Sequence, residues 1–577
     1  MIGAALEPGP PRAKTRSPDG NIATALREMA RRRPDAIAVQ EPIETDGEGR
    51  IHYARWSFRQ LDEEVDRLCH ALTSVGIERG TRTVLMVPPS RRFFALSFAL
   101  FRLGAVPVLV DPGMGIPSLK ACLDRAAPEA FIGVSRAHLA RCLFGWARRS
   151  IRIRITVGRK PGGRLGAGLL PWRGPTLASL RRRIPPRTGF TGPVTQTDET
   201  AAILFTSGST GTPKGAIYHH GIFLEQIEQL RRLYAIEEGE VDLPPFPLFG
   251  LFDVALGMTA VIPSMDFTRP GSADPAGLLH AIEQEGVTNL FASPALLRNL
   301  ARHVEERGVD LPGLRRVLSA GAPVPAAEIE RLARRLAPGV QVHTPYGATE
   351  CLPVASIGSD AIVGGTGIAT TEGAGVCVGR IAPGMEVGVI PVHDEPIERW
   401  DPALLLSPGE VGEIVVRGAV VSRAYHDHPA GNAAAKIGPA PGEPDTAIRH
   451  RIGDLGRFDA EGRLWFQGRK AHRVWTPDGP LDTIAAEGVF NAHPAVARTA
   501  LVGLGRRGAQ VPLLCVELEA GSAPAQETLL RELRVLGARF PHTAGIDRFR
   551  IHPGFPVDIR HNAKIFREKL ALWAGTA

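Results

Sequence analysis

Residues 206–215, TSGSTGTPKG, gather hydroxyls and glycines around one lysine, Lys214, directly after the apolar run AAILF. A strand that opens into a turn of small residues and ends on a lysine presents backbone N–H groups and hydroxyls to polyphosphate, so this loop is expected to hold a triphosphate. It is not the Walker pattern, G-x-x-x-x-G-K-[ST], because Lys214 follows Pro213 and precedes Gly215. A flexible Ser/Gly linker is the bland alternative; it does not explain ten such residues set on the end of a buried strand.

The elements that must carry this loop are readable around it. A chain of 577 residues is too long for one core, so at least two domains are expected, one of them a large α/β unit. The stretch TRTVLMVPPSRRFFALSFALFRLGAVPVLVDP predicts a strand at 83–87, an apolar helix, Gly104 and a second strand at 106–110. That βαβ unit implies a parallel sheet covered by helices. An amphipathic helix precedes it, with Phe58, Leu61, Val65, Leu68 and Leu72 three or four apart and Gly76 closing it. The βα alternation returns over 287–308 and 314–339. From GEVGEIVVRG to RLWFQGR short strands divided by Gly and Asp turns replace it. The expected division is a disordered tail at 1–20, a large N-terminal domain at 21–467 with a β-rich subdomain, and a small mobile α+β domain at 468–577. The joint falls near Gly468 and Arg469.

Composition limits the partners. The formal net charge is +8, but Lys and Arg are mixed with Asp and Glu along most of the chain. With no aromatics interleaved among the basic residues, no nucleic acid is expected, and an anionic small molecule satisfies the same excess. No uninterrupted apolar run of about eighteen residues is present, and the start lacks a signal pattern, so neither a membrane span nor a secreted leader is expected. Six cysteines lie far apart with no C-x-x-C pair, which fits a reducing cytoplasm. Between Arg141 and Arg187 there is no Asp or Glu. Such a segment is either a solvated insertion or a face for peripheral contact with anionic lipid or an acidic partner.

LFTSGSTGTPKGAIYHH resembles the signature loop of the adenylate-forming superfamily, which includes acyl-CoA synthetases, fatty acyl-AMP ligases, peptide-synthetase adenylation domains and luciferases. SAGAPV at 319–324, PYGATE at 345–350, RIGDLGR at 451–457, FQGRK at 466–470 and PVDIRHNAKIFREKL near the end resemble further segments of that family, in its order. The resemblance implies ATP and Mg²⁺, and a carboxylate that attacks the α-phosphorus to give an acyl-adenylate and pyrophosphate. It assigns the β- and γ-phosphates to Thr206, Ser207, Gly208, Ser209, Thr210, Gly211 and Lys214, and Mg²⁺ to Glu350. Thr349 would meet the α-phosphate; Gly321, Ala322, Tyr346 and Gly347 would flank the adenine. Asp454 would take the ribose hydroxyls, Arg469 would sit near ribose and joint, and Lys564 would bridge the carboxylate and the α-phosphate.

Departures from the acyl-CoA synthetase pattern cluster in the thiol-handling half. Gly250 stands where a histidine commonly follows P-L-F, and His472 and Trp475 replace the acidic residue and lysine after the joint. Asn562, Ala563 and Lys564 replace the terminal S-G-K. The segments carrying these changes look like the β-lactone synthetases of bacterial long-chain olefin biosynthesis. That resemblance implies a 2-alkyl-3-hydroxy fatty acid substrate, no need for CoA, and other enzymes of an olefin or β-lactone pathway as partners. The substrate's own hydroxyl would close the ring, a step that depends on proximity. A fatty acyl-CoA or acyl-carrier-protein ligase, using the same adenylate, is the alternative; a catalytically silent nucleotide-binding regulator is a third.

Overall fold

The computed structural model describes residues 19–575 except 48–49, 159–173, 207–212, 268, 523 and 559–563. Residues 1–18 of the expected tail lie outside the described residues. Gly20 is placed, its N–H donating to the Thr195 carbonyl at 2.8 Å.

Apolar runs of strand length build a six-stranded sheet in the order Ile153–Val157, Ala130–Val134, Arg82–Met86, Val106–Leu109, Thr200–Thr206, Lys214–His219. All neighbours are parallel except the last pair, a hairpin around the phosphate-type loop. The helix Arg91–Arg102 leaves the Arg82–Met86 strand and packs on one face through Phe94 and Phe98. The helix Ile116–Ala126 leaves Val106–Leu109 and packs on the other face through Leu119 and Leu123. The expected amphipathic helix is Phe58–Thr73, started by a capping box in which Ser57 and Gln60 exchange side-chain and backbone hydrogen bonds. Its predicted apolar stripe, Phe58 to Leu72, is buried.

A fourteen-stranded sheet forms the second layer. Ile37–Thr45, Thr259–Val261, Val241–Leu243, Asn289–Ala292, Arg316–Ser319 and Gln341–Ala348 run parallel, as the 287–339 alternation predicts. A hairpin to Cys351–Gly358 then reverses the direction, and the Gly-punctuated strands follow antiparallel. The β-rich region thus extends this sheet rather than forming one of its own, because Val376–Ile381 pairs at one side with Cys351–Gly358 and at the other with Leu464–Arg469.

After Arg469 the chain builds a separate three-stranded sheet, Val496–Leu504, Val511–Leu518 and Phe549–Ile551, with its own core of Phe490, Leu501, Leu514, Leu529 and Leu533. The last helix, Arg567–Gly575, is anchored by the buried pair of Arg567 and Glu487, with Nη2 to Oε2 at 2.8 Å. Gly468 at the joint has φ +129°, and a Cβ there would stand 2.6 Å from Thr483 Oγ1, so only glycine suits the crossing.

Two buried carboxyls, Asp242 and Asp253, face each other between the layers. Burial pushes Asp242 up to about 7 and, with the Asp242 charge beside it, pushes Asp253 well above the carboxylate range. The folded chain therefore keeps protons that the unfolded chain releases near pH ~4, so this pair weakens the fold as pH rises through the folded values. Asp253→Asn, which keeps a donor but never ionises, is expected to flatten the fall in melting temperature that runs from about pH 4 upward through pH 7, relative to the parent. Parallel melting curves for the two proteins would contradict the assignment.

Candidate active site

Thr206 ends one strand of the hairpin and Lys214 opens the next, the two paired directly across it. Ser207, Gly208, Ser209, Thr210 and Gly211, called as phosphate ligands, lie outside the described residues. The Lys214 strand is strapped to a distant segment. The Gly215 carbonyl accepts from His426 N–H at 2.7 Å, and Ile217 N–H donates to the Ala424 carbonyl at 3.0 Å. Between them Tyr425 is carried to Lys214, whose Nζ stands 5.1 Å from its ring centroid.

Thr349 and Glu350 form the two-residue loop of the Gln341–Ala348 and Cys351–Gly358 hairpin, closed by the Ala348 and Cys351 pair. Gly347 is required here: a Cβ would sit 2.4 Å from the Cys351 carbonyl oxygen. The Thr349 carbonyl accepts from the Tyr218 hydroxyl. Glu350, 8% exposed, accepts the Tyr425 hydroxyl on Oε1 at 2.7 Å, and its carbonyl takes Ser422 N–H at 2.8 Å. Lys436 stands 5.1 Å from the same Tyr425 ring and donates to the Ser422 carbonyl. Burial lowers its ammonium to about 8 although the Glu350 carboxylate opposes the shift.

Asp454 and Arg469 are cross-strand partners on Arg449–Phe458 and Leu464–Arg469. Arg469 Nε lies 3.0 Å from Asp454 Oδ1, and the Tyr346 hydroxyl donates to Oδ2 at 2.6 Å. Burial lifts the Asp454 carboxyl more than Arg469, Tyr346 and the more distant Lys564 lower it. Gly321, at φ +103°, turns the chain between the Arg316–Ser319 strand and the Ala326–Ala333 helix, beside Ala322. Lys564 comes from the small C-terminal unit. Its backbone is clamped to Asp558, N–H to Oδ1 at 2.9 Å and carbonyl to N–H at 3.0 Å.

Of the site residues expected from the sequence that are described, Lys214, Gly321, Ala322, Tyr346, Gly347, Thr349, Glu350, Asp454, Arg469 and Lys564 line one cavity of about 2350 Å³ that spans both lobes, with Tyr218 and Tyr425; Thr206 does not. The structure brings Lys214, Thr349, Glu350, Tyr346, Asp454, Arg469 and Lys564 to its polar part. Among the described residues no group of three or more His, Cys, Asp or Glu gathers to hold a metal. Mg²⁺ does not need one, because it binds through one or two carboxylates completed by phosphate oxygens and water, and Glu350 offers such a carboxylate on the wall that Lys214 also lines.

Sequence reasoning missed Tyr425, Lys436, Tyr218 and Ser422. Tyr218 lies inside the signature segment without a role assigned to it, whereas Ser422, Tyr425 and Lys436 stand outside every motif and are tied to Glu350 by the hydrogen bonds of Ser422 and Tyr425 to it and of Lys436 to Ser422. The departures have physical counterparts. A Cβ on Gly250 would stand 2.7 Å from Phe94 Cζ, so a larger residue there would displace the phenyl ring. His472 is held neutral, its ring lowered to about 3 by burial and by Arg567 and Arg469. Trp475 is covered by Arg507 at 4.6 Å and Arg473 at 5.7 Å. His220, buried, accepts the Ile22 N–H at 3.2 Å, a structural role.

The profile described as AMP-binding enzyme matches residues 26–426. The chain belongs to this family. Among AMP-binding relatives, an olefin beta-lactone synthetase of Stenotrophomonas maltophilia is 50% identical over 96% of this chain and 98% of its own length. A second, from Xanthomonas campestris pv. campestris, is 50% identical over 96% of this chain and 97% of its own. Among solved structures, o-succinylbenzoate CoA synthetase of Bacillus subtilis in complex with ATP and magnesium ion has the same fold, with TM-score 0.72 and 20% identity over 95% of this chain and 98% of that one. The AMP-binding fold thus matches the expected adenylate-forming architecture.

Proposed function

We propose that this chain is an ATP-dependent β-lactone synthetase acting on 2-alkyl-3-hydroxy fatty acids. The carrying observation is 50% identity to olefin beta-lactone synthetases over nearly the whole chain. The convergence of Lys214, Glu350, Asp454 and Lys564 on one cavity supports it.

In the first step a carboxylate oxygen bonds to the α-phosphorus as the bond to the β-phosphate bridging oxygen breaks, and pyrophosphate leaves. Thr206, Lys214 and the loop between them hold the β- and γ-phosphates, and Thr349 meets the α-phosphate. Tyr346, Gly347, Gly321 and Ala322 enclose the adenine, and Asp454 with Arg469 takes the ribose. Lys564 bridges carboxylate and phosphate, where negative charge grows. Mg²⁺ on Glu350 would offset that charge. In the second step the β-hydroxyl oxygen bonds to the acyl carbon and passes its proton to water, and the bond from that carbon to the phosphate oxygen breaks, releasing AMP as the four-membered ring closes. CoA has no part in this scheme. A thiol ligase would need an acceptor, and His472 and Trp475 do not reproduce the usual thiol-handling residues.

The test is product formation without CoA. Enzyme, ATP, Mg²⁺ and a 2-alkyl-3-hydroxy acid are expected to give AMP, pyrophosphate and a β-lactone identified by mass and infrared carbonyl frequency. Strict dependence on CoA would overturn the reading.

The Arg-rich segment supports a peripheral lipid contact. Residues 159–173 lie outside the described residues, but the adjoining helix Ser135–Phe144 exposes Leu143 at 70%, with Arg148 and Arg149 exposed after it. No helix among the described residues is long and apolar enough to cross a membrane. Co-sedimentation with phosphatidylglycerol vesicles, but not phosphatidylcholine vesicles, is expected, and Leu143→Glu should weaken it. Equal recovery with both lipids would remove the proposal.

A further inference from the structure

In the six-stranded sheet the connection leaving Arg82–Met86 takes the opposite face from those leaving its two neighbours, Val106–Leu109 and Ala130–Val134. From Arg82–Met86 the chain crosses by the helix Arg91–Arg102 on one face; from Val106–Leu109 it crosses by Ile116–Ala126 on the other. These two strands are neighbours, so the connections leaving their carboxyl ends part to opposite faces and open a crevice between them. The cavity wall contains the residues at this edge. Leu85, Leu109 and Leu204 point to one face, and Met86, Val110 and Phe205, one position on, point to the other.

Beyond this edge the same cavity is walled by two separate apolar clusters. On the first face it is lined by Phe93, Phe98, Phe101, Leu251 and Phe252. On the second it is lined by Leu119, Ala137, Ala140 and Trp146. At about 2350 Å³ the space is larger than the ~300–1,000 Å³ typical of a site for one small ligand. A nucleotide cleft with one straight acyl channel requires apolar lining on one side of the sheet edge only.

We propose that the cavity has two apolar arms, one on each face of this sheet, and that each takes one alkyl branch of a two-tailed acid whose carboxylate lies at the sheet edge, toward Lys564. This rests on the acid class proposed above and adds where its two chains go. The first arm is aromatic; the second is floored by the small residues Ala137 and Ala140 of the helix Ser135–Phe144. Widening that floor with a larger side chain fills the second arm without touching the first.

The test measures pyrophosphate release by the full-length enzyme on two series of 2-alkyl-3-hydroxy acids, one shortened only in the C2 branch and the other only in the chain bearing the hydroxyl. Ala140→Phe, with Ala137→Leu as a milder variant should the first fold poorly, narrows the second arm. Leu251→Trp narrows the first. Each is expected to lower kcat/KM by about tenfold or more for acids long in one branch and to spare acids short in that branch, the two arms acting on different branches. Penalty on the same branch from both arms, or indifference of both series to Ala140→Phe and Ala137→Leu in folded protein, would overturn the two-arm assignment. Failure of the function itself reads differently: the parent enzyme would then release no pyrophosphate with any branched hydroxy acid, or would yield only a thioester.

Discussion

Lys564→Ala is expected to slow pyrophosphate release by about a thousandfold, in line with removing one preorganised charge from a transition state. The side chain lines the cavity from the C-terminal unit and lowers the Asp454 carboxyl from across it. Its backbone stays clamped by Asp558 whatever the side chain, and the following helix stays anchored by Arg567 and Glu487, so the fold should survive. ATP binding and melting temperature are therefore expected to stay near the parent's. Lactone release from a presynthesised acyl-adenylate should also persist, since the lysine is assigned to the first step. Parent-like pyrophosphate release, or equal loss in both half reactions, would contradict its assignment.

Asp454→Ala is expected to weaken ATP by about a hundredfold or more. Two charge-assisted hydrogen bonds to ribose hydroxyls, each about 1.5–3 kcal/mol, would be lost. The competing explanation is unfolding, because Arg469 loses its partner. The arginine side chain is 37% exposed toward the cleft and stays solvated, but the Tyr346 hydroxyl loses its acceptor as well, so stability should fall by about 1–3 kcal/mol. A raised KM for ATP in protein that still melts in one cooperative transition, only modestly below the parent, separates the two. A collapse in stability with normal nucleotide affinity in the surviving protein would assign Asp454 a purely structural role.

The chemistry of this enzyme was more legible in its sequence than the shape of its sheets. Phosphate-type loops, a Gly-Ala-Thr-Glu turn and a lysine near the end announce themselves because the reaction restricts residue type over a few adjacent positions. The helix from Phe58 and the strand–helix–strand beginning at Arg82 were readable by periodicity, since both bury a regular stripe or run. The merging of the β-rich strands into the fourteen-stranded sheet was not, because it depends on Val376–Ile381 pairing at both ends with partners distant in the chain. Tyr425 and Lys436 escaped for the same reason. Their place beside Glu350 depends on Ile217 and Gly215 binding the 424–426 backbone, and no local pattern encodes that.

The hairpin tip formed by Thr349 and Glu350 is two residues long, with a register shift between Tyr346 and Ala348 beside it and Gly347 set against the Cys351 carbonyl. One residue inserted at the tip would be taken up as a longer loop or a bulge and would re-aim Thr349 and Glu350 away from their present place on the cavity wall. Evolution can therefore retune which acid is accepted only by editing residues far from that tip, so nucleotide handling and acid choice descend as separable traits.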